Sequence, residues 1–505
     1  MNKFYITTPL YYVNASPHIG HAYTNVICDC LARFARLNNT DVFFLTGTDE
    51  HGEKIKKAAE REGVAIGKFV DSKVEIFKDL WRKLNVSYDY FIRTTDSYHK
   101  DVVRRVINIL YEKGDVYKAE YKGFYCVPCE SFWTEAQIKE SNGCPSCKRE
   151  VEEIVENNYF FKLSKYEKWL KNHLKDNPDF IKPTVRYNEV MSFLEGNHLE
   201  DLCISRPKKR VSWGIDFPLD DNFVVYVWFD ALLNYISAVG FGYDEIRFRK
   251  WWPAEIQFIG KDILRHHAIF WPIMLYALGI KPPQIIFAHG WWKVGEDKIS
   301  KSRGNIVNPL QLIEKIGVDG LRYFLLREVP VGMDGNFSWE AIIHRLNSDL
   351  ANDLGNLVYR TLNMAEKYFE GNIQPYNRDI PSFLKEALEC LYEKYIPFMR
   401  DVSFSSVLDI VWQFVNTMNK FIEYTKPWLL WKEKKEDELR GFLFSLLEGI
   451  RITAIYIYPF MPDTSKKIFD QLGVNDCVSL KDTVWQSKGF TIRKETPLFP
   501  RIDAD

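Results

Sequence analysis

The chain has 505 residues, with Lys+Arg 67 against Asp+Glu 68 and a formal net charge of -1, which excludes a protein that coats nucleic acid by bulk charge but leaves a local binding patch open. That length predicts about two to four domains, and a composition 46% hydrophobic and 15% aromatic suits well-packed cores. No run of about 18 uncharged apolar residues marks a membrane span, and the N-terminus lacks a small-residue cleavage site, so a cytoplasmic protein is expected, in which nine cysteines predict metal or buried thiols over disulfides.

In chain order, "KFYITTPL" predicts a first strand and "VNASP" a polar turn. Apolar residues then recur at Ile19, Ala22, Val26, Ile27, Leu31, Phe34 and Ala35, which is helical spacing. At the mouth of that helix stand His18 and His21, at i and i+3 on one face, with Gly20 leaving room for a close ligand. A helix N-terminus offers unpaired N–H groups and partial positive charge that suit phosphate. Two partly exposed histidines on a first turn would give the same spelling. "DVFFLTG" predicts a second buried strand, and "DEHGEKIKKAAEREG" a polar-faced helix. "EIQFIGKD" with a helix to Gly279, then "QIIFAHG" with a loop, resume the alternation.

Strands alternating with helices predict an α/β, Rossmann-type doubly wound parallel sheet. The Cys-, Trp- and charge-rich stretch between its halves predicts a zinc-binding insertion. From Arg345 onward, long helical segments predict an all-α helical bundle. The expected division is therefore 1–116 and 219–290 for the sheet domain, 117–218 for the insertion, 291–344 for a loop and linking segment, and 345–505 for the bundle.

Two stretches carry further chemistry. "VGEDKISKSRGN" follows a strand and holds Lys298, Ser300, Lys301 and Ser302, donors suited to the charge that builds on a triphosphate during displacement. An exposed basic turn would read the same way. "CVPC" (Cys126, Cys129) and "CPSC" (Cys144, Cys147) supply four thiolates for one tetrahedral zinc, whose filled shell predicts a structural site. Cys28, Cys30, Cys203, Cys390 and Cys477 are scattered and read as core residues.

Together, "HIGH" and "KISKS" resemble the two signature motifs of class I aminoacyl-tRNA synthetases, in the expected order after the expected strands. The resemblance implies that both bind ATP and that His18, His21, Lys298 and Lys301 stabilise the transition state by electrostatics, with Gly20, Ser300 and Ser302 beside them. A smaller nucleotidyltransferase with HxGH would explain these motifs but not the rest of the chain. "TTPLYYVNASPHIGHAYTN", "TGTDEHG", "YVWFDALLNYISA", "FIGKDILRHHAIFWP" and "GWWKVGEDKISKSRGN" resemble, in order, the methionyl-tRNA synthetase family in its bacterial form.

That resemblance implies a methionine pocket of Leu10, Tyr12, Trp228, Ala231, Leu232, Tyr235, Ile263 and His267, with Trp271 nearby and Asp49 on the α-amino group. Leu232 stands where some relatives carry proline. Sulfur sits well against aromatic rings, and Tyr12 and His267 are expected to offer hydrogen bonds to the thioether. An insertion of about 100 residues leaves no room for the large editing domain that branched aliphatic substrates demand. In the bundle, the resemblance implies anticodon contacts from Asn356, Arg360 and Trp428, although a surface pair and a core tryptophan fit the same positions. "RPKKR" (Arg206–Arg210) is a further RNA candidate or a solvated turn. The implied partners are tRNA(Met), ATP with magnesium, and L-methionine, with no membrane. Because the chain stops at "TPLFPRIDAD", without the oligonucleotide-binding module of some relatives, a monomer is expected, and a separate tRNA-binding subunit stays open.

Overall fold

The computed structural model describes residues 3–127, 131–133, 135–141, 143–145, 147–294, 297–298, 307–376, 380–474, 479–486 and 488–503. Its central sheet has seven parallel strands: β1 (Lys3–Thr7), β2 (Tyr11–Tyr12), β3 (Asp41–Asp49), β4 (Tyr90–Arg93), β5 (Ile181–Lys182), β6 (Ile256–Gly260) and β7 (Ile285–His289). They run in the order β4–β3–β1–β6–β7–β5, with β2 extending the line of β1 along the end of β3. Phe4 lies opposite Val42, Ile6 opposite Ile256, and Phe258 opposite Phe287. β3 is buried over eight of its nine residues, as expected of a strand covered on both faces. Strand order reverses between β1 and β6, and in such sheets the crevice outside the strands' carboxyl ends at that point takes the ligand.

Helix α1 (Ile19–Leu37) leaves that crevice and runs back along the sheet. The sequence predicts one apolar stripe, yet nearly the whole helix is buried, including Asn25, Asp29 and Arg33. The reason is the C-terminal bundle, which covers the side turned away from the sheet; Phe34 meets Tyr395 at 6.0 Å between ring centroids. The buried charges are satisfied. Asp29 pairs with Arg33 at 2.8 Å and with Arg322 at 2.6 Å, and accepts from the N–H and hydroxyl of Ser87. Burial raises the Asp29 carboxyl, but Arg322 and Arg33 more than reverse it and hold it below the usual carboxylate range. Arg322 also donates to the carbonyls of Leu84, Pro459 and Phe460, so one side chain ties α1, the loop before β4 and the bundle together.

A four-stranded antiparallel sheet, in the order Ser131–Trp133, Val116–Cys126, Glu152–Phe161 and Leu202–Cys203, occupies the stretch expected as an insertion. Within that same stretch β5 returns to the central sheet and pairs with Ile286 and Phe287. Two residues carry no periodicity, so nothing in the sequence signals that return.

The bundle begins as one continuous helical run: Trp339–Arg345, a π-helical stretch Leu346–Gly355, then Asn356–Phe369. Helices Ser382–Arg400, Phe404–Thr425, Pro427–Lys432, Glu436–Ile457 and Pro462–Leu472 complete it. A short antiparallel pairing of Asn372–Ile373 with Phe490–Thr491 interrupts the all-α pattern expected there. The Asn347 side chain exchanges two hydrogen bonds with the backbone of Ile502, seating the C-terminal segment on the first helical run. Among the described residues, no helix is long and apolar enough to cross a membrane.

Candidate active site

A cavity of about 400 Å³ opens at the carboxyl ends of the strands, where their order reverses. Residues just past β1 (Pro9–Tyr12), at the end of β3 (Asp49), past β6 (Gly260, Asp262, Ile263) and past β7 (Gly290–Trp292) line it. Its floor on one side is the N-terminus of α1. His18 is the N-cap and not a first-turn residue: its Nδ1 accepts the Gly20 N–H at 3.1 Å, and His21 Nδ1 accepts the His18 N–H at 3.1 Å. The two rings stack at 3.9 Å. With each Nδ1 accepting, a neutral ring carries its proton on Nε2, so each histidine has a donor on the side away from its own backbone. Gly20 has a role the sequence does not disclose. A Cβ there would stand 2.9 Å from His18 Cε1, so the bare glycine is what lets the imidazole fold over the helix end.

The other end of the cavity is aromatic. Leu10, Tyr12, Asp49, Trp228, Ala231, Leu232, Tyr235, Ile263 and His267 all line it, so nine of the ten residues expected for an amino-acid pocket are brought together. Trp271 stands behind them, fully buried, donating to Gln257 at 3.0 Å with its ring 5.7 Å from Tyr235. Tyr12 meets Trp228 edge-on at 6.4 Å.

A π-helical turn, His266–Phe270, turns His267 into this wall and sets His266 against Trp228; such turns gather at functional sites. His266 stacks on Trp228 at 3.8 Å, and His267 Nε2 lies 2.8 Å from the Tyr235 hydroxyl. His267 Nδ1 is 3.0 Å from the Ile263 carbonyl, which only accepts, so Nδ1 carries the proton and Nε2 takes the Tyr235 O–H. Burial pushes His267 down to about 4 and keeps it neutral. The expected hydrogen bond from His267 to a thioether is therefore corrected: its one N–H is already spent on the backbone.

Several groups in the cavity lining or just behind it were not singled out from sequence. Thr24 Oγ1 lies 2.8 Å from His289 Nε2, and Trp291 donates from Nε1 to Asp262 at 3.0 Å. Asp334 accepts from Lys261 and Lys293, and from the Trp291 N–H at 3.0 Å. The signal that finds Lys261, Asp262, His289 and Trp291 is position: they end β7 or follow closely on β6 or β7. Lys293 sits in the strand Trp292–Val294, which pairs with Asp297–Lys298. The Lys298 backbone thus enters a hairpin beside the cavity, while Ser300, Lys301 and Ser302 lie outside the described residues.

Away from the cavity, the Sγ atoms of Cys126, Cys144 and Cys147 lie within 4.8 Å of one another, with Cys126 and Cys147 at 3.6 Å. Tetrahedral zinc with Zn–S of about 2.3 Å sets ligand sulfurs about 3.8 Å apart, so this donor set fits such an ion. Cys129 lies outside the described residues. "RPKKR" is neither a free RNA contact nor a solvated turn at its ends. Arg206 is buried with its guanidinium 4.7 Å from the rings of both Tyr125 and Tyr226, and Arg210 pairs with Glu152 at 2.7 Å. In the bundle, Asn356 is exposed and Arg360 half-buried on one helix, and Trp428 is 50% exposed. Tyr368 on that helix stacks on Trp431 at 5.1 Å, which ties it to the short helix of Trp428. A tryptophan this exposed is not core packing.

The sequence model described as "tRNA synthetases class I (M)" matches residues 4–154 and 149–362, and that of the "anticodon-binding domain of tRNA ligase" matches 383–497. The methionine–tRNA ligase of Caldanaerobacter subterraneus subsp. tengcongensis is 48% identical over 513 residues, covering 99% of this chain and 79% of that protein. The Thermotoga maritima methionine–tRNA ligase is 45% identical over 510 residues, covering 99% and 81%. Among solved structures, Mycobacterium tuberculosis methionyl-tRNA synthetase in complex with methionyl-adenylate superposes with a TM-score of 0.94 at 40% identity, covering 99% of this chain and 100% of that one. Its apo form gives 0.88 at 37%, covering 100% and 99%.

Proposed function

The chain belongs to the class I methionyl-tRNA synthetases, and we propose from that premise how its own residues divide the work of a methionine–tRNA ligase. It joins methionine to ATP as methionyl-adenylate, releasing pyrophosphate, and then passes the methionyl group to the 3′ end of tRNA(Met). The observation that carries this reading is one cavity joining a histidine-capped helix N-terminus to an aromatic chamber.

Methionine enters with its side chain among Tyr12, Trp228, Ala231, Leu232, Tyr235 and Ile263, against Leu10, while the Asp49 carboxylate takes its ammonium. Neutral His267 and buried Trp271 hold Tyr235 in place instead of touching the charge. The methionine carboxylate attacks the α-phosphate, and negative charge builds on the phosphate oxygens. The Nε2–H groups of His18 and His21, set at the positive end of the α1 dipole, stabilise that charge from one side. Lys298 and Lys301, with Ser300 and Ser302, add positive charge and donors from the "KISKS" motif. None acts as a nucleophile. Magnesium bound with ATP would offset triphosphate charge. Cys126, Cys129, Cys144 and Cys147 would hold a zinc ion with a filled shell, whose role would be to fix the fold of the inserted sheet. In the bundle, Trp428 stacks on an anticodon base, and Asn356 with Arg360 hydrogen-bonds base edges. A ligase with these substrates works in the cytoplasm.

Amino-acid-dependent ATP–pyrophosphate exchange, run over all twenty amino acids without tRNA, tests the reading. Exchange with methionine alone is expected; exchange with another amino acid overturns the pocket assignment. A Trp428→Ala variant should keep full exchange while losing at least about tenfold in charging of tRNA(Met).

A further inference from the structure

Behind the methionine wall runs a buried chain of hydrogen bonds that none of the steps above uses. Asp230 is 0% exposed and sits on the short helix Val227–Leu232, which also carries Trp228, Ala231 and Leu232. Its Oδ2 lies 2.7 Å from His51 Nδ1 and its Oδ1 2.7 Å from His99 Nε2. His99 Nδ1 lies 2.7 Å from Ser237 Oγ, two residues beyond Tyr235. His51 follows Asp49 by two residues, and His99 lies on the helix Ser97–Glu112. One carboxylate thus joins the loop after β3, the helix after β4 and the helix that forms the pocket wall.

Trp228 and Ala231, at i and i+3, share the face turned to the cavity, and Asp230 lies about 200° around from Trp228. It does not line the cavity, so any effect on the substrate passes through the helix. That helix has six residues and no side-chain cap, too short to hold its own geometry without an outside anchor. Both Asp230 oxygens are occupied at short distance from opposite sides, which removes its freedom to rotate and fixes Asp49's loop against the Trp228 face.

We infer that Asp230, clamped between His51 and His99, is a positioning residue that sets the gap between Asp49 and the Trp228–Ala231 wall, and thereby the affinity for the amino acid. The inference rests on the methionine reading of the cavity. It predicts a loss confined to one substrate, because the ATP side is built from α1, β6 and β7 and not from this helix.

The test is ATP–pyrophosphate exchange by the full chain, with methionine and ATP varied separately, in His99→Leu and His99→Gln. Leucine breaks the chain; glutamine can again donate to Asp230 and accept from Ser237. His99→Leu should raise KM for methionine about tenfold or more and leave KM for ATP within about twofold, and His99→Gln should recover most of the loss. A merely structural role would lower kcat through a smaller folded fraction and leave both KM values unchanged. That pattern, a parallel rise in both KM values, or no rescue by glutamine overturns the inference. Should His99→Leu fail to fold, Ser237→Ala removes only the outer link, and an unchanged methionine KM there overturns it. Absence of methionine-dependent exchange in the unaltered protein instead overturns the reading of the function.

Discussion

At the scale of single residues, the site is decided by which nitrogen of each imidazole is already committed. His18 and His21 spend Nδ1 on the helix cap, and His267 spends Nδ1 on a carbonyl. The first two therefore present donors, and the third presents an acceptor already taken by Tyr235. Gly20→Ala tests the first arrangement. Its Cβ would meet the His18 ring at 2.9 Å and displace it, while alanine is the better helix former. The expected outcome is a fall in kcat for exchange of about tenfold or more, with Tm unchanged or raised. Acid stability tests the two rings of the π-helical turn. Burial lowers His267 to about 4 and His266 to about 3, from an ordinary 6.5. The unfolded chain thus binds protons more readily between those values, so their contribution is full above pH 6.5 and is lost as pH falls toward 4. Each ring steepens that loss by up to about 1.4 kcal/mol per pH unit. His266→Phe keeps the stack on Trp228 and removes one proton, so urea unfolding between pH 4.5 and 6 should show a shallower slope than the unaltered protein.

At the scale of elements, the long segments were legible and the short ones were not. The 19-residue α1 and nine-residue β3 follow from periodicity and from a run of buried apolar residues. β5 has two residues and the π-helical turn at His266 five, too few for any period to register, and both owe their form to tertiary contacts. Pocket membership was legible only through likeness to a family, because Trp228 and Trp271 spell the same residue while one faces the cavity and the other packs behind it. The clustering of Cys126, Cys144 and Cys147 was legible outright, since the spacing of the two pairs is itself the chemistry. Cys126 ends one long strand, and Cys144 and Cys147 sit on the loop leading to its partner strand. Removing the proposed zinc should therefore free that end of the sheet. Chelation, or Cys144→Ser, should raise amide hydrogen exchange across 116–161 while leaving exchange in α1 and β6 as it was. Equal deprotection of α1 would mean that the metal supports the whole fold.

At the scale of the whole molecule, the separate domains expected from sequence share one core. The apolar face of α1 continues into the bundle, so the helix whose N-terminus is proposed to meet the nucleotide is also a wall of the domain proposed to read the anticodon. At that seam stands Arg322, 0% exposed, paired with Asp29 and bonded to the carbonyls of Pro459 and Phe460 just past the helix Glu436–Ile457. A buried pair of this kind adds little over a well-packed apolar pair, but breaking one side leaves a charge in the interior at a cost of about 3–5 kcal/mol. Arg322→Met removes the guanidinium, keeps comparable bulk, and leaves Asp29 with one cation, Arg33, and the two Ser87 donors. The carbonyls of Pro459 and Phe460 also lose their donor, so the bundle loses a fixed seat on α1. The expected result is a lower Tm, and a loss in charging of tRNA(Met) that exceeds the loss in ATP–pyrophosphate exchange, because only the charging step needs anticodon and active site held at a set distance. The triple variant Asp29→Leu, Arg33→Met, Arg322→Met removes all three buried charges and should regain much of the Tm without regaining the charging rate. Recovery of both together would show that the seam contributes stability alone and that the bundle's orientation is set elsewhere.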